Sequence, residues 1–259
     1  MDVILFLVGV YGSTWALCLT LRSAAASGSV GAIYAFFFGT VWAPTALALL
    51  LAFTFGGRES FANLLQRLFR RPRSAGWFAV AAVVPFVTIS IAILAARAQG
   101  QVAPRPDVSS WPLIVGLQVA TGATGEELGW RGFLIPRLTE RLGFTTASVI
   151  GGLLWSGWHL AGTVFPGAAV QATPLIPFLM FVALFGIFLA FVFARTGHVL
   201  APILAHLSFN VTLALVGAPF ASRLLWWVVV LATATAVGVA ALSAWPANIA
   251  LEPAATMRS

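Results

Sequence analysis

An all-α bundle of about eight membrane-spanning helices is the fold this sequence predicts, and three observations carry that expectation. Apolar residues make up 60% of the 259 and charged residues only 8%, against about a quarter charged in soluble domains. The mean hydropathy is +0.98. The apolar residues also fall in runs close to the ~20 residues that one helix needs to cross a bilayer. A chain of this length has room for a large soluble core, but runs this continuous fit one integral domain over 1–259.

Eight segments meet that measure: 3–21, 30–55, 76–97, 111–134, 145–164, 174–194, 199–217 and 222–245. The first follows Met1-Asp2 without a basic leader, and Ala24-Ala25-Ala26 comes after Arg22, so it reads as an uncleaved span. Its Cys18 is the sole cysteine, which excludes a disulfide framework within the chain and fits a small core or lipid-facing residue. Between the second and third segments, Phe61, Leu64, Leu65, Leu68 and Phe69 recur at helical spacing among arginines from Arg58 to Arg73. That pattern predicts a short helix lying on an anionic leaflet. The fourth and seventh segments are the least clean, and they are also the ones interrupted by acids or histidine. Trp111, Trp226, Trp227 and Trp245 fall near segment ends, as interfacial anchors do.

Charge sets the expected orientation and removes one class of partner. All fourteen basic residues are arginine, the net charge is +7, and the pI is near 11.4. The arginines sit at segment ends and form no basic stripe with interleaved aromatics, so the sequence predicts no nucleic-acid partner. With the N-terminus inside, Arg58, Arg67, Arg70, Arg71, Arg73, Arg137, Arg141, Arg195 and Arg258 lie inside, and Arg22, Arg97, Arg105 and Arg223 outside. That asymmetry favours both termini in the cytoplasm, in the inner or plasma membrane of a bacterial host.

Within the spans few polar side chains are available for chemistry. Asp and Glu total seven, so the adjacent Glu126 and Glu127 in Gly125-Glu126-Glu127-Leu128-Gly129-Trp130-Arg131 require a reason. An ionisable side chain near the centre of a membrane helix costs at least ~2.5 kcal/mol on insertion scales and marks a functional site by default. Glu127 and Arg131 are four apart, share a helix face and can pair. Glu126 is turned about a hundred degrees away and is free to point elsewhere. In a soluble helix the same spacing would mean an ordinary surface pair.

Two later segments bring the matching groups. His159 lies in Trp155-Ser156-Gly157-Trp158-His159, a segment with no other ionisable residue, and alone it would read as a satisfied core histidine. His206 and Asn210 are four apart and face the same way. Together they can offer two N–H donors to a developing oxyanion, or hold a water or a metal. His198, eight residues before His206, reads as an interfacial or capping residue. Ser156 and Ser208 lack a Gly-x-Ser-x-Gly elbow, and no His-Glu-x-x-His is present. A glutamate-activated water is the hydrolytic design that remains. In it Glu126 takes a proton from a water oriented by His159, His206 and Asn210 stabilise the oxyanion, and Glu127 with Arg131 holds the helix end.

In this order, Glu126-Glu127-x-x-x-Arg131, Trp155-x-x-x-His159 and His206-x-x-x-Asn210 resemble the motifs of the CAAX protease and bacteriocin-processing (CPBP, or Abi) family of intramembrane endopeptidases. The flanks Arg131-Gly132-Phe133-Leu134-Ile135-Pro136 and Arg195-Thr196-Gly197-His198 to His206 are similar as well, and a core over 111–215 carries the likeness. One departure is Trp155, where phenylalanine is commoner; it adds bulk and keeps the aromatic character. The resemblance implies an eight-helix fold with a membrane-embedded polar cavity, and Glu126, His159, His206 and Asn210 as the catalytic quartet. Members with this pattern include Ras-converting CAAX endopeptidases, which remove the last three residues of prenylated proteins. The implied substrate is a membrane-associated peptide or protein of CAAX or leader-peptide type.

The preferred mechanism needs no cofactor. In a metal-dependent alternative His159, His206 and Glu126 would bind a divalent ion, for which a His and carboxylate set with an open position suits zinc. A transporter or scaffold could use the same polar cluster, but the sequence has no inverted repeat or matched broken helices. Gly151-Gly152 permits a close helix contact, within the bundle as readily as between subunits, so no oligomeric state follows.

Overall fold

The computed structural model describes residues 1–101, 107–215, 218 and 220–243. Arg105, Trp245 and Arg258, used above for orientation and anchoring, lie outside the described residues. Among the described residues every regular element is helical. Helix α1 spans Asp2–Ala26, α2 Val30–Gln66, α3 Gly76–Ala98, α8 Leu175–Thr196 and α10 Arg223–Ser243. These five are long and apolar enough to cross a membrane. The protein is an integral, multi-pass membrane protein, as its composition predicts.

The other three expected spans are built differently, and they are the ones that carry polar groups. The fourth opens as α4, Trp111–Ala120, breaks at Thr121-Gly122, restarts as α5, Ala123–Glu127, widens into a π-helix over Leu128–Leu134, and ends as α6, Ile135–Leu142. The fifth is α7, Phe144–Trp158, which tightens into a 3-10 turn at His159–Val164. The seventh is α9, Leu200–Leu215, an apolar helix of shorter length. A wide i→i+5 turn is rare in helices and recurs at functional sites. Here all seven of its residues are buried.

Small residues let the backbones close around that turn. A Cβ added at Gly129 would lie 2.5 Å from the carbonyl carbon and oxygen of Pro44, inside α2. At Gly152 it would meet the Ala183 carbonyl at 2.4 Å, and at Gly186 the Gly152 Cα at 2.8 Å. The close contact expected at Gly151-Gly152 is therefore made between α7 and α8, inside the bundle. This is the small-residue packing by which membrane helices approach.

The arginine-rich end is a polar seam. Asp2 accepts from Arg137 Nε at 2.6 Å and from Arg141 at 3.3 Å, and Arg137 stacks over Phe133. The segment expected to lie on a leaflet is helical, but Gly57 (φ 64°) kinks it away from the spanning part of α2, and the helix stops at Gln66. Phe69 is 82% exposed, but Leu64 lies in the protein core with Leu65 and Leu68 packed against it, so most of the expected leaflet face meets the bundle, and Arg67 turns inward too. Its Nη1 donates to the Gly132 carbonyl at 2.7 Å, and its own carbonyl accepts from the Val199 N–H. A carbonyl in the wide turn is worth more to a buried guanidinium than a headgroup, because neither could stay unpaired in an apolar interior. Cys18 is fully buried and donates to the Ala161 carbonyl, so it is a core residue. Trp111 and Trp227 are exposed as anchors, but Trp226 is buried and its indole donates to the Phe220 carbonyl.

Candidate active site

The interrupted segments meet around one cavity of about 290 Å3, near the low end of ligand pockets (about 300–1,000 Å3). Glu126, His159, His206 and Asn210 all line it. Glu127 and Arg131 stand behind that wall, 0% and 2% exposed. Most of the remaining lining is aromatic, with Phe181, Phe185, Phe209 and Trp226 prominent, and Gln118 and Thr121 add polar edges. Its residues come from the second half of α1, the first half of α2, the ends of α7 and α9 and the starts of α8 and α10. The cavity thus lies toward the end of the bundle opposite the arginine seam.

Backbone geometry and hydrogen bonds give each polar group a definite role. Glu126 is the fourth residue of the five-residue helix α5, just before the wide turn, and its Oε2 accepts from Trp155 Nε1 at 2.8 Å. His159 caps α7, and its Nδ1 is 2.8 Å from the Trp155 carbonyl. A carbonyl only accepts, so Nδ1 carries the proton and Nε2 keeps its lone pair. His206 Nδ1 is 2.8 Å from Glu127 Oε1, which by the same logic makes Nδ1–H the donor and leaves Nε2 as the free nitrogen. Asn210 lies one turn farther along α9, half-buried, beside the break in the fourth segment. A Cβ at Gly122 would come within 3.3 Å of Asn210 Nδ2 and 2.5 Å of the Gln118 carbonyl oxygen.

Glu127 has a larger part than the sequence indicates. Arg131 Nη1 donates to its Oε1 at 3.0 Å and lies 2.9 Å from its Oε2, so the pair expected from the four-residue spacing is made. The contact with His206 is additional and crosses between segments 79 residues apart. No local pattern pointed to this bridge.

Trp155, too, does more than the aromatic character its sequence position indicates. Its indole reaches Glu126, its carbonyl holds His159, Arg131 stacks 4.3 Å from its ring, and His206 meets it edge-on. The serines belong elsewhere: Ser156 donates to the Leu179 carbonyl and Ser208 to the Ala82 carbonyl. His198 is a capping residue, whose Nδ1 accepts from the Leu200 N–H at 3.2 Å. Among the described residues no group of three His, Cys, Asp or Glu side chains is placed to hold a metal ion.

Residues 108–212 match the family model described as Rce1-like, type II CAAX prenyl endopeptidase Rce1-like. Over this segment the chain is similar to the Rce1-like family. The match takes in all six residues singled out above, Glu126 to Asn210, and nearly coincides with the expected core. No curated protein matches the chain. An Rce1-like core supports intramembrane peptide hydrolysis, and with it the reading of the 290 Å3 cavity as an active site.

Proposed function

We propose that this protein is an intramembrane glutamic endopeptidase of CPBP type, hydrolysing a membrane-associated peptide or protein by a glutamate-activated water. The single observation that carries the reading is the convergence of Glu126, His159, His206 and Asn210 from three segments on one cavity. Glu126 takes a proton from water through Oε1, because Oε2 is held by the indole. His159 accepts a hydrogen bond from that water through Nε2, its tautomer fixed by the Trp155 carbonyl. The hydroxide attacks the scissile carbonyl, and the new oxyanion is met by His206 Nε2–H and Asn210 Nδ2–H. His206 donates through Nε2 only as an imidazolium, which the Glu127 carboxylate stabilises as the acid does in a His–Asp pair. Glu126 then passes its proton to the leaving amine as the C–N bond breaks, so atoms and charge balance.

The aromatic lining suits a substrate that is apolar around the cleaved bond, of CAAX or leader-peptide type. The polar quartet then sits where water must be retained in an otherwise dry wall, which strengthens every donor in it. The test is cleavage of an internally quenched, prenylated CAAX peptide by purified protein in micelles. Glu126→Ala should lower kcat/KM by about 10²–10⁴-fold, the range for a general base. Undiminished cleavage by that variant would overturn the role of Glu126.

A further inference from the structure

Trp155 is more than an aromatic filler of the cavity wall, and its ring nitrogen is what sets it apart. Trp155 Nε1–H donates to Glu126 Oε2 at 2.8 Å, and both residues are buried. Phenylalanine has no N–H and cannot make this bond. The other two links of Trp155 do not depend on the indole nitrogen: the backbone carbonyl that holds His159 Nδ1, and the ring face that carries Arg131.

We infer that Trp155 is a positioning residue for the base: its indole N–H fixes the Glu126 carboxylate so that Oε1 alone faces the water. The inference rests on the proposed glutamate-activated hydrolysis and deepens it. A carboxylate with two free oxygens could turn about its last torsion, a broad two-fold well. Anchoring one oxygen removes that freedom, and a hydrogen bond to a charged acceptor is among the stronger ones. The groups around Glu126 are Glu127 and Arg131 from its own segment, His159 from the end of α7 and His206 from α9. None of these donates to Oε2. Val41 and Trp42 of α2, packed behind Gly125, bring no charge.

The substitution Trp155→Phe removes this one bond and keeps a ring. With the quenched prenylated CAAX peptide, kcat should fall about tenfold while KM stays within about twofold, the loss expected for one hydrogen bond to an ionised group. The melting temperature should stay close to that of the wild type, since the ring still fills the site. An unchanged kcat, or a kcat lost together with the fold, would overturn the positioning role. A second measurement does not need activity: in 15N-tryptophan-labelled protein, Glu126→Ala should move one indole N–H resonance toward the position of an unbonded indole. If no indole resonance moves, the contact and the inference both fail. If the wild type leaves the peptide intact while the resonance does move, the hydrolytic reading falls and the indole–carboxylate bond stands.

Discussion

Replacing Glu127 by glutamine keeps the shape of the side chain and removes its charge, and the structure sets the cost. The carboxylate is fully buried and serves Arg131 and His206 at 3.0 and 2.8 Å. Glutamine retains one carbonyl oxygen, enough for one of the two donors. Arg131, 2% exposed, would keep its charge without its bonded partner. Removing one member of a buried ion pair costs about 3–5 kcal/mol, and the retained acceptor argues for about 3. The imidazolium form of His206 loses its counterion as well, so catalysis should drop about 10–100-fold, or about 1.4–2.7 kcal/mol of barrier. Stability is read by reversible SDS titration in mixed micelles, and activity by peptide cleavage. Arg131→Met in the Glu127→Gln background should restore part of the stability, since taking away both charges leaves none unpaired. A single variant within about 0.5 kcal/mol of wild type, the range of an inert surface change, would refute the bridge.

Two further outcomes can be measured directly. Gly129→Ala drives a Cβ to 2.5 Å from Pro44 backbone atoms, so it should destabilise by about 1–3 kcal/mol as overpacked cores do; an unchanged SDS midpoint would show that α2 yields freely there. His198 lies between α8 and α9, where burial first and the Arg70 charge second hold its pKa below the ordinary imidazole range. Its folded pKa is below its unfolded one, so its contribution is complete above about pH 6.5 and is lost as pH falls toward the folded value. Melting temperatures followed from about pH 8 to about pH 5 should therefore fall less steeply for His198→Asn than for wild type, and equal slopes would reject the neutral cap.

What the sequence made legible was set by the range of each interaction. The Glu127–Arg131 pair follows from four-residue spacing, and it forms. Long apolar runs mark α1, α2, α3, α8 and α10, because lipid enforces their length and composition. The break at Thr121-Gly122 and the wide turn over Leu128–Leu134 escape a periodic reading, because both are fixed by neighbours: Asn210 beside Gly122, and Pro44 against Gly129. Arg67 reads as a leaflet arginine because its inward partner, the Gly132 carbonyl, is 65 residues away. Trp226 reads as an anchor for the same reason; its position near a segment end gives no hint of the Phe178 and Phe181 rings that bury it. The indole–carboxylate bond is also invisible locally, since its partners are 29 residues apart.

The cavity and the arginine seam lie toward opposite ends of the bundle, and the wide turn joins them. Arg67 ties the end of α2 to the Gly132 carbonyl inside that turn, and Asp2 ties the start of α1 to Arg137 just beyond it. Glu126 stands two residues before the turn begins. A change at the seam would therefore reach the cavity wall through the wide turn, which makes that turn the hinge pin between the clasped end of the bundle and its polar hollow.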